Sequence, residues 1–184
     1  MRIIAGKYKS RKINEPVKSK GNQVSTIRPT SDRARETIFD ILASRLDFTD
    51  TKCIDLFAGT GAYGFESLSR GALHSSFVDI SGKSLELIRK TAEDLDVKRD
   101  ISIIKSDSIK FLRDNEEEFD LIFADPPYKY DNYDLLVELV FQNKFLFFIL
   151  ETSTDKKFEY DKNRLGFISR NVGKTFFLIY YLLP

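Results

Sequence analysis

Asp55-Leu56-Phe57-Ala58-Gly59-Thr60-Gly61-Ala62-Tyr63-Gly64 runs from an apolar segment into an amphipathic one. Residues 53–57 read as a strand, and residues 62–70 read as a helix. Gly59 and Gly61 sit at the junction, where a backbone without Cβ can turn sharply and approach a ligand closely. The helix beyond starts with N–H groups that have no partner inside it.

Outward from this unit, short apolar runs alternate with helical patterns. Upstream, Ser31 starts a helix with Asp32 in its first turn, and Ala34, Ile38, Phe39, Ile41 and Leu42 form its apolar face. Downstream, strands at 76–79, 101–105, 119–124 and 145–151 alternate with helices at 83–94, 108–113 and 133–141. In the first of these helices Leu85, Leu87, Ile88 and Ala92 face inward. Two further strands, at 166–169 and 175–183, have only Val172-Gly173 as a turn and no helix, so they predict an antiparallel hairpin at one edge. The pattern predicts an α/β fold: an open, twisted, mostly parallel sheet with helices on both faces. In such sheets ligands bind beyond the carboxyl ends of the strands, near the switch point. Asp55, Asp79, Asp107 and Asp125 all fall at strand ends there. Asp107 also fits as a plain helix cap.

The chain has 184 residues, 42% of them hydrophobic and 31% charged, which suits one domain with a real core rather than a disordered chain. Its longest apolar runs, 145–150 and 176–184, fall far short of the ~20 residues that span a bilayer. No apolar signal-peptide core follows the N-terminal basic residues. The one cysteine, Cys53, excludes an internal disulfide framework and any CxxC motif. A soluble protein of a reducing, cytoplasmic compartment is expected.

The net charge of +1 hides an asymmetry: residues 1–35 carry +8 and the rest −7. A basic arm on a mildly acidic body suits a polyanion such as RNA, DNA or a charged membrane face. A solvated tail is the plainer reading of the same residues. As a mitochondrial targeting helix the segment is poorly amphipathic. The stretch from Asn14 to Arg28 reads as a loop.

Gly59, Gly61 and Gly64 match GxGxxG, and Asp79 follows Gly59 by 20 residues, which on spacing alone fits a dinucleotide fingerprint. Asp55 separates the cofactors. It lies four residues before the first glycine, where its charge would repel a pyrophosphate and attract the ammonium of S-adenosylmethionine (SAM). A hydride-transfer enzyme also needs an acid or base. The only histidine, His74, opens a strand at the opposite end, where a strand-edge role suffices.

The second constellation is Asp125-Pro126-Pro127-Tyr128, after the buried run Leu121-Ile122-Phe123-Ala124. Two prolines stiffen the corner and hold Asp125 and Tyr128 in a set geometry. An exocyclic amine on a nucleobase is conjugated with its ring and poorly nucleophilic. Asp125 and a carbonyl of the prolyl turn can hold both of its N–H groups, favouring the pyramidal nitrogen whose lone pair faces a methyl sulfonium. Tyr128 can stack on the base, a contact worth about 1–3 kcal/mol. Acceleration then comes from alignment and electrostatics.

With these residues in view, the sequence resembles the bacterial rRNA methyltransferases that modify the N2 amine of a guanine in 16S rRNA. The resemblance covers nearly the whole chain. Met1-Arg2-Ile3-Ile4-Ala5-Gly6-Lys7-Tyr8 matches the family's opening. Arg28-Pro29-Thr30-Ser31-Asp32-Arg33, with Arg35-Glu36 and Phe39-Asp40-Ile41-Leu42, matches its second block. The glycine turn, followed by Glu66, Ser69, Arg70 and Gly71, and the Asp125–Tyr128 motif match the cofactor and catalytic blocks.

The resemblance implies a Rossmann-like class I SAM-dependent methyltransferase of about seven strands, spanning 31–184, with a basic RNA-contacting extension over 1–30. It implies that Asp55, Gly59, Thr60 and Gly61 hold the methionine end of SAM. Asp79 would take the ribose hydroxyls, and Asp107 with Ser108 would face the adenine. Asp125, Pro126, Pro127 and Tyr128 would hold the guanine. Arg2, Lys7, Lys9, Arg11, Lys12, Arg28, Thr30 and Arg33 would meet the RNA. Two departures stand out: the family often has Glu at Asp79, and Ile80 replaces a common polar residue. A monomer acting on rRNA or the assembled small subunit is expected, with no metal, membrane or obligate protein partner. Three alternatives remain: an amino-methyltransferase on adenine N6 or another DNA or RNA amine, a non-catalytic SAM-retaining assembly factor, and a nicotinamide oxidoreductase.

Overall fold

A computed structural model describes residues 1–16, 32–153 and 156–184. Helix α1 (Asp32–Ala43) leads into strand β1 (Lys52–Asp55), the glycine turn and α2 (Ala62–Ser69). Then come β2 (His74–Asp79), α3 (Gly82–Leu95), β3 (Ile101–Lys105), α4 (Ser108–Asp114), β4 (Leu121–Ala124) and α5 (Tyr133–Gln142). Strands β5 (Phe147–Thr152), β6 (Leu165–Val172) and β7 (Thr175–Leu182) complete the chain. Ser31, the expected start of α1, lies outside the described residues.

The strands form one seven-stranded sheet in the order β3-β2-β1-β4-β5-β7-β6. Strands β1 to β5 are parallel, and β7 runs antiparallel to both β5 and β6. The order reverses between β1 and β4, so the switch point lies where both acidic motifs leave the sheet. A dinucleotide-binding sheet runs parallel throughout in the order 3-2-1-4-5-6. Insertion of the antiparallel β7 between β5 and β6 departs from that plan.

Side chains alternate across the sheet, as the two-residue period of a strand requires. Ile54, Ile122, Ala124, Phe148 and Leu150 pack under α4 and α5. Cys53, Leu121, Phe123, Phe147 and Ile149 pack under α1. Helices α2 and α3 cover Phe77 on the same side as α1. Gly64 makes that covering possible, because a Cβ there would sit 2.3 Å from the Phe77 ring.

The elements differ from expectation mainly at their ends. Strand β6 extends to Val172 because Arg170 and Asn171 pair with Phe177 and Phe176 on β7, and an edge strand can leave polar side chains in solvent. The aromatic tail serves packing: Tyr180 is fully buried, with ring contacts to Phe141, Phe148, Tyr160 and Phe167. His74 opens β2 and its Nε2 lies 2.9 Å from Ser102 Oγ, remote from the glycine turn. Cys53 is fully buried 3.1 Å from Ser75 Oγ, and burial pushes its thiol up to about 11. No helix among the described residues is long and apolar enough to cross a membrane.

Candidate active site

The glycine turn uses left-handed backbone at two positions, φ 54° at Gly59 and 80° at Gly61. The Gly61 N–H donates to the Ala58 carbonyl at 2.6 Å, closing the turn, and the Ala58 N–H donates to Val78 at 3.0 Å. Asp79 braces it from β2: its carboxylate accepts from the Gly59 N–H at 2.8 Å and from the Ser81 N–H at 2.7 Å. The residue expected to hold a ribose therefore also fixes the shape of the turn. Ile80 beside it is 71% exposed, an apolar side chain at the rim of the strand ends.

Asp55 ends β1 and is 1% exposed, and neither carboxylate oxygen has a hydrogen-bond partner among the described residues. Burial, reinforced by the charges of Asp79 and Glu151, pushes its carboxyl up to about 7, while the backbone N–H groups of Gly64 and Phe57, close by but outside hydrogen-bond geometry, pull the other way. A buried, unpartnered carboxylate calls for a cationic donor. The ammonium of SAM supplies one, and the pyrophosphate of a dinucleotide would add a like charge. The residues present thus fit SAM, which the methyltransferase fold implies as methyl donor.

Thr60 is buried, with its Oγ1 3.9 Å from Met1 Sδ. Asp107 is exposed and caps α4, accepting from the Lys110 N–H at 3.0 Å. Buried Ser108 donates its hydroxyl to the Leu56 carbonyl, tying α4 to the exit of β1. Both residues flank the strand ends while shaping the chain.

Asp125 is half-buried after β4, Pro126 is buried, and Tyr128 is 78% exposed. The Tyr130 N–H donates to the Pro127 carbonyl at 2.9 Å, so the corner closes on itself. The Tyr130 ring meets Phe57 edge-on at 5.2 Å, linking this corner to the residues before the glycine turn. Tyr130 has a buried hydroxyl without a partner among the described residues, and burial pushes it up to about 12.

Sequence reasoning missed a fifth acid, Glu151 on β5. The Tyr63 hydroxyl donates to its Oε2 at 2.9 Å, and the Tyr63 ring stacks on Phe123 at 4.9 Å. Strand alternation sets Asp55 and Glu151 on the α1 side of the sheet, since each follows a residue packed on the other side, and Asp125 directly follows the last residue of β4. The available signal was an acid closing the apolar run of the last parallel strand.

Residues 1–16 are docked on the body. An antiparallel bridge joins Arg2 to Lys12, and Ile3 and Ile13 are buried beside α2 and α3. Fully buried Glu66 accepts from the N–H groups of Ile4 and Ala5 and from Arg70. The Lys7 N–H donates to the Ser69 carbonyl at 2.7 Å. Arg35, also fully buried, donates to the Arg2 carbonyl at 2.6 Å and to Asp32 at 2.9 Å. The arm leaves Arg2, Lys7, Lys9, Arg11 and Lys12 exposed, as is Arg33 on α1. Arg28 and Thr30 lie outside the described residues.

The seven strands in this order, with the glycine turn at the switch point, define a class I methyltransferase fold. The chain belongs to the family described as Conserved hypothetical protein 95, which matches residues 1–181. It is 33% identical over 164 residues to ribosomal RNA small subunit methyltransferase D of Haemophilus influenzae, covering 85% of this chain and 80% of that protein. The Escherichia coli K12 protein of the same name is 32% identical over 146 residues, covering 79% of this chain and 69% of that protein. Among solved structures, Escherichia coli YhhF superposes with a TM-score of 0.82 at 26% identity, covering 99% of this chain and 97% of that one. Haemophilus influenzae HI0767 gives 0.76 at 26% identity, covering 100% and 99%. The family seen in the opening sequence blocks is the family found.

Proposed function

We propose that the protein transfers a methyl group from SAM to the exocyclic N2 amine of a guanine in small-subunit rRNA. The observation that carries the reading is the pairing, across the switch point, of an unpartnered buried Asp55 with the stiff Asp125-Pro126-Pro127-Tyr128 corner. The names of the relatives support rRNA as the substrate class.

When bound, SAM supplies an electrophilic methyl group on a sulfonium. Asp55 pairs with its ammonium, the backbone of Gly59, Thr60 and Gly61 receives its methionine end, Asp79 takes its ribose hydroxyls, and Asp107 with Ser108 borders its adenine. Asp125 and the prolyl carbonyl accept the two N2–H groups of the guanine, turning the nitrogen lone pair toward the methyl group. The surplus proton of the methylated amine leaves toward Asp125 or water. Tyr128, already exposed, stacks on the base. Rate comes from alignment and electrostatics, without a covalent enzyme intermediate. A looped or unpaired guanine costs least to expose. Arg2, Lys7, Lys9, Arg11, Lys12, Arg28, Thr30 and Arg33 meet the phosphate backbone.

The test is methyl transfer from labelled SAM to small ribosomal subunits from cells lacking this methylation, followed by nucleoside analysis. Label in N2-methylguanosine is expected. Label on adenosine or in DNA overturns the substrate and keeps the fold. Bound SAM with no label anywhere favours a non-catalytic assembly factor.

A further inference from the structure

Strands β4 and β5 pair in parallel register, with Ala124 opposite Leu150. Asp125 directly follows Ala124 at the end of β4, and Glu151 directly follows Leu150 within β5, so the two acids leave neighbouring parallel strands at the same level. Glu151 is half-buried, and its direction is fixed by the Tyr63 hydroxyl on Oε2. Tyr63 is fixed in turn by its stack on Phe123, the β4 residue two before Asp125. Such a brace resembles the support given to residues that must meet a ligand in one orientation. Tyr133, at the start of α5, lies within electrostatic reach of both Asp125 and Glu151.

We infer that Glu151, held by Tyr63, selects guanine over adenine by accepting the guanine N1–H beside the amine that Asp125 holds. The inference rests on the guanine-N2 reading above. Guanine presents N1–H and the N2 amine as adjacent donors, which suits two neighbouring carboxylates. Adenine presents N1 as a lone pair beside its amine, so the same carboxylate would face an acceptor and repel it. Selection by an unfavourable contact with the wrong base needs no larger pocket. A carboxylate oxygen carries two lone pairs, so an atom already accepting from Tyr63 can accept a second N–H.

The experiment uses small subunits reconstituted with rRNA carrying either guanine or 2-aminopurine at the acceptor position. 2-Aminopurine keeps the 2-amino group and has a lone pair at N1. The full chain is compared with Glu151→Gln and Tyr63→Phe for label in the 2-amino group. The native protein is expected to prefer guanine by about 10⁴-fold or more in kcat/KM, the scale at which a site built to hydrogen-bond an N–H rejects an analogue lacking it. Glu151→Gln can turn an amide N–H toward an N1 lone pair, so the preference shrinks by about tenfold or more while SAM affinity holds within about twofold. Tyr63→Phe narrows the preference in the same direction and reads the same ratio if Glu151→Gln does not fold. Equal losses on both bases, with the ratio unchanged, overturn the assignment and leave Glu151 a supporting residue. A native protein that labels neither 2-amino group overturns the guanine-N2 reading itself, an outcome distinct from an unchanged ratio.

Discussion

The backbone N–H of Ile4 donates a 2.7 Å hydrogen bond to the carboxylate of Glu66, a side chain with no exposed surface. Glu66 lies on the helix that follows the glycine turn, so one buried charge ties the basic arm to the cofactor side of the molecule. Removing its carboxylate strands Arg70 and two backbone donors. Glu66→Ala is expected to lower stability by about 3–5 kcal/mol, the usual cost of leaving a buried charge partner uncompensated. Denaturant unfolding reads the loss, and limited proteolysis should show faster cleavage within residues 1–16. Unchanged cleavage there would mean the apolar contacts of Ile3 and Ile13 hold the arm alone.

Gly6 allows the same docking from the other side. Its φ is 79°, and a Cβ there would lie 1.8 Å from the Ser69 carbonyl oxygen. Gly6→Ala should release the arm without altering any charge. The expected signature is weaker rRNA binding with SAM affinity preserved, read by paired titrations. Full rRNA affinity would separate docking of the arm from its use.

Asp55 gives a pH dependence of known sign. Its carboxyl is raised from 3.8 to about 7 in the folded chain. Below the lower value both states are protonated and burial is free of charge cost. Between the two values the unfolded chain ionises and the folded one holds its proton, so stability falls as pH rises. Above about 7 the penalty is complete. Asp55→Asn should remove this part of the decline, seen by comparing denaturant midpoints of the two proteins at acid and mildly alkaline pH. A cationic ligand reverses the preference, so SAM affinity should rise through the same range with release of a proton, measurable by calorimetry in buffers of different ionisation heat.

Asp125→Ala should leave SAM affinity within a few-fold and cut turnover by about 10²–10⁴, the range for losing a positioned polar group in the transition state. Single-turnover kinetics separates the two. Parallel loss of binding and turnover would move Asp125 from the amine to the cofactor.

Lys9→Ala with Lys12→Ala should weaken rRNA binding and flatten its salt dependence, by about 0.7 to 0.9 in slope for each phosphate that is no longer neutralised. Titrations across a range of salt concentrations check it. A lower affinity with an unchanged slope would mean that these two lysines do not meet phosphates.

The sheet was legible because its strands are short, apolar and punctuated by helices of regular period, and because the glycine turn marks one junction unambiguously. The acids at the strand ends followed from the same reading. What stayed hidden depends on distant partners. Arg35 looks like a surface charge until the Arg2 carbonyl comes over it. The arm looks solvated until Glu66 and Ser69 supply acceptors for its backbone. Ser108 and Asp79 reveal their bracing bonds only once Leu56 and Gly59 are in place. Glu151 closes a run of aromatic and aliphatic residues, and only the fold brings the Tyr63 hydroxyl, distant in sequence, to its carboxylate.

Cys53, buried on β1 under α1 with its thiol held protonated, is the chain's one cysteine. The protein is therefore chemically silent toward thiol reagents in its folded form. A cysteine placed at a chosen surface position, such as the tip of the basic arm, becomes a unique handle for a fluorophore or cross-linker. Reaction of the native thiol itself, conversely, would serve as a clock for opening of the sheet.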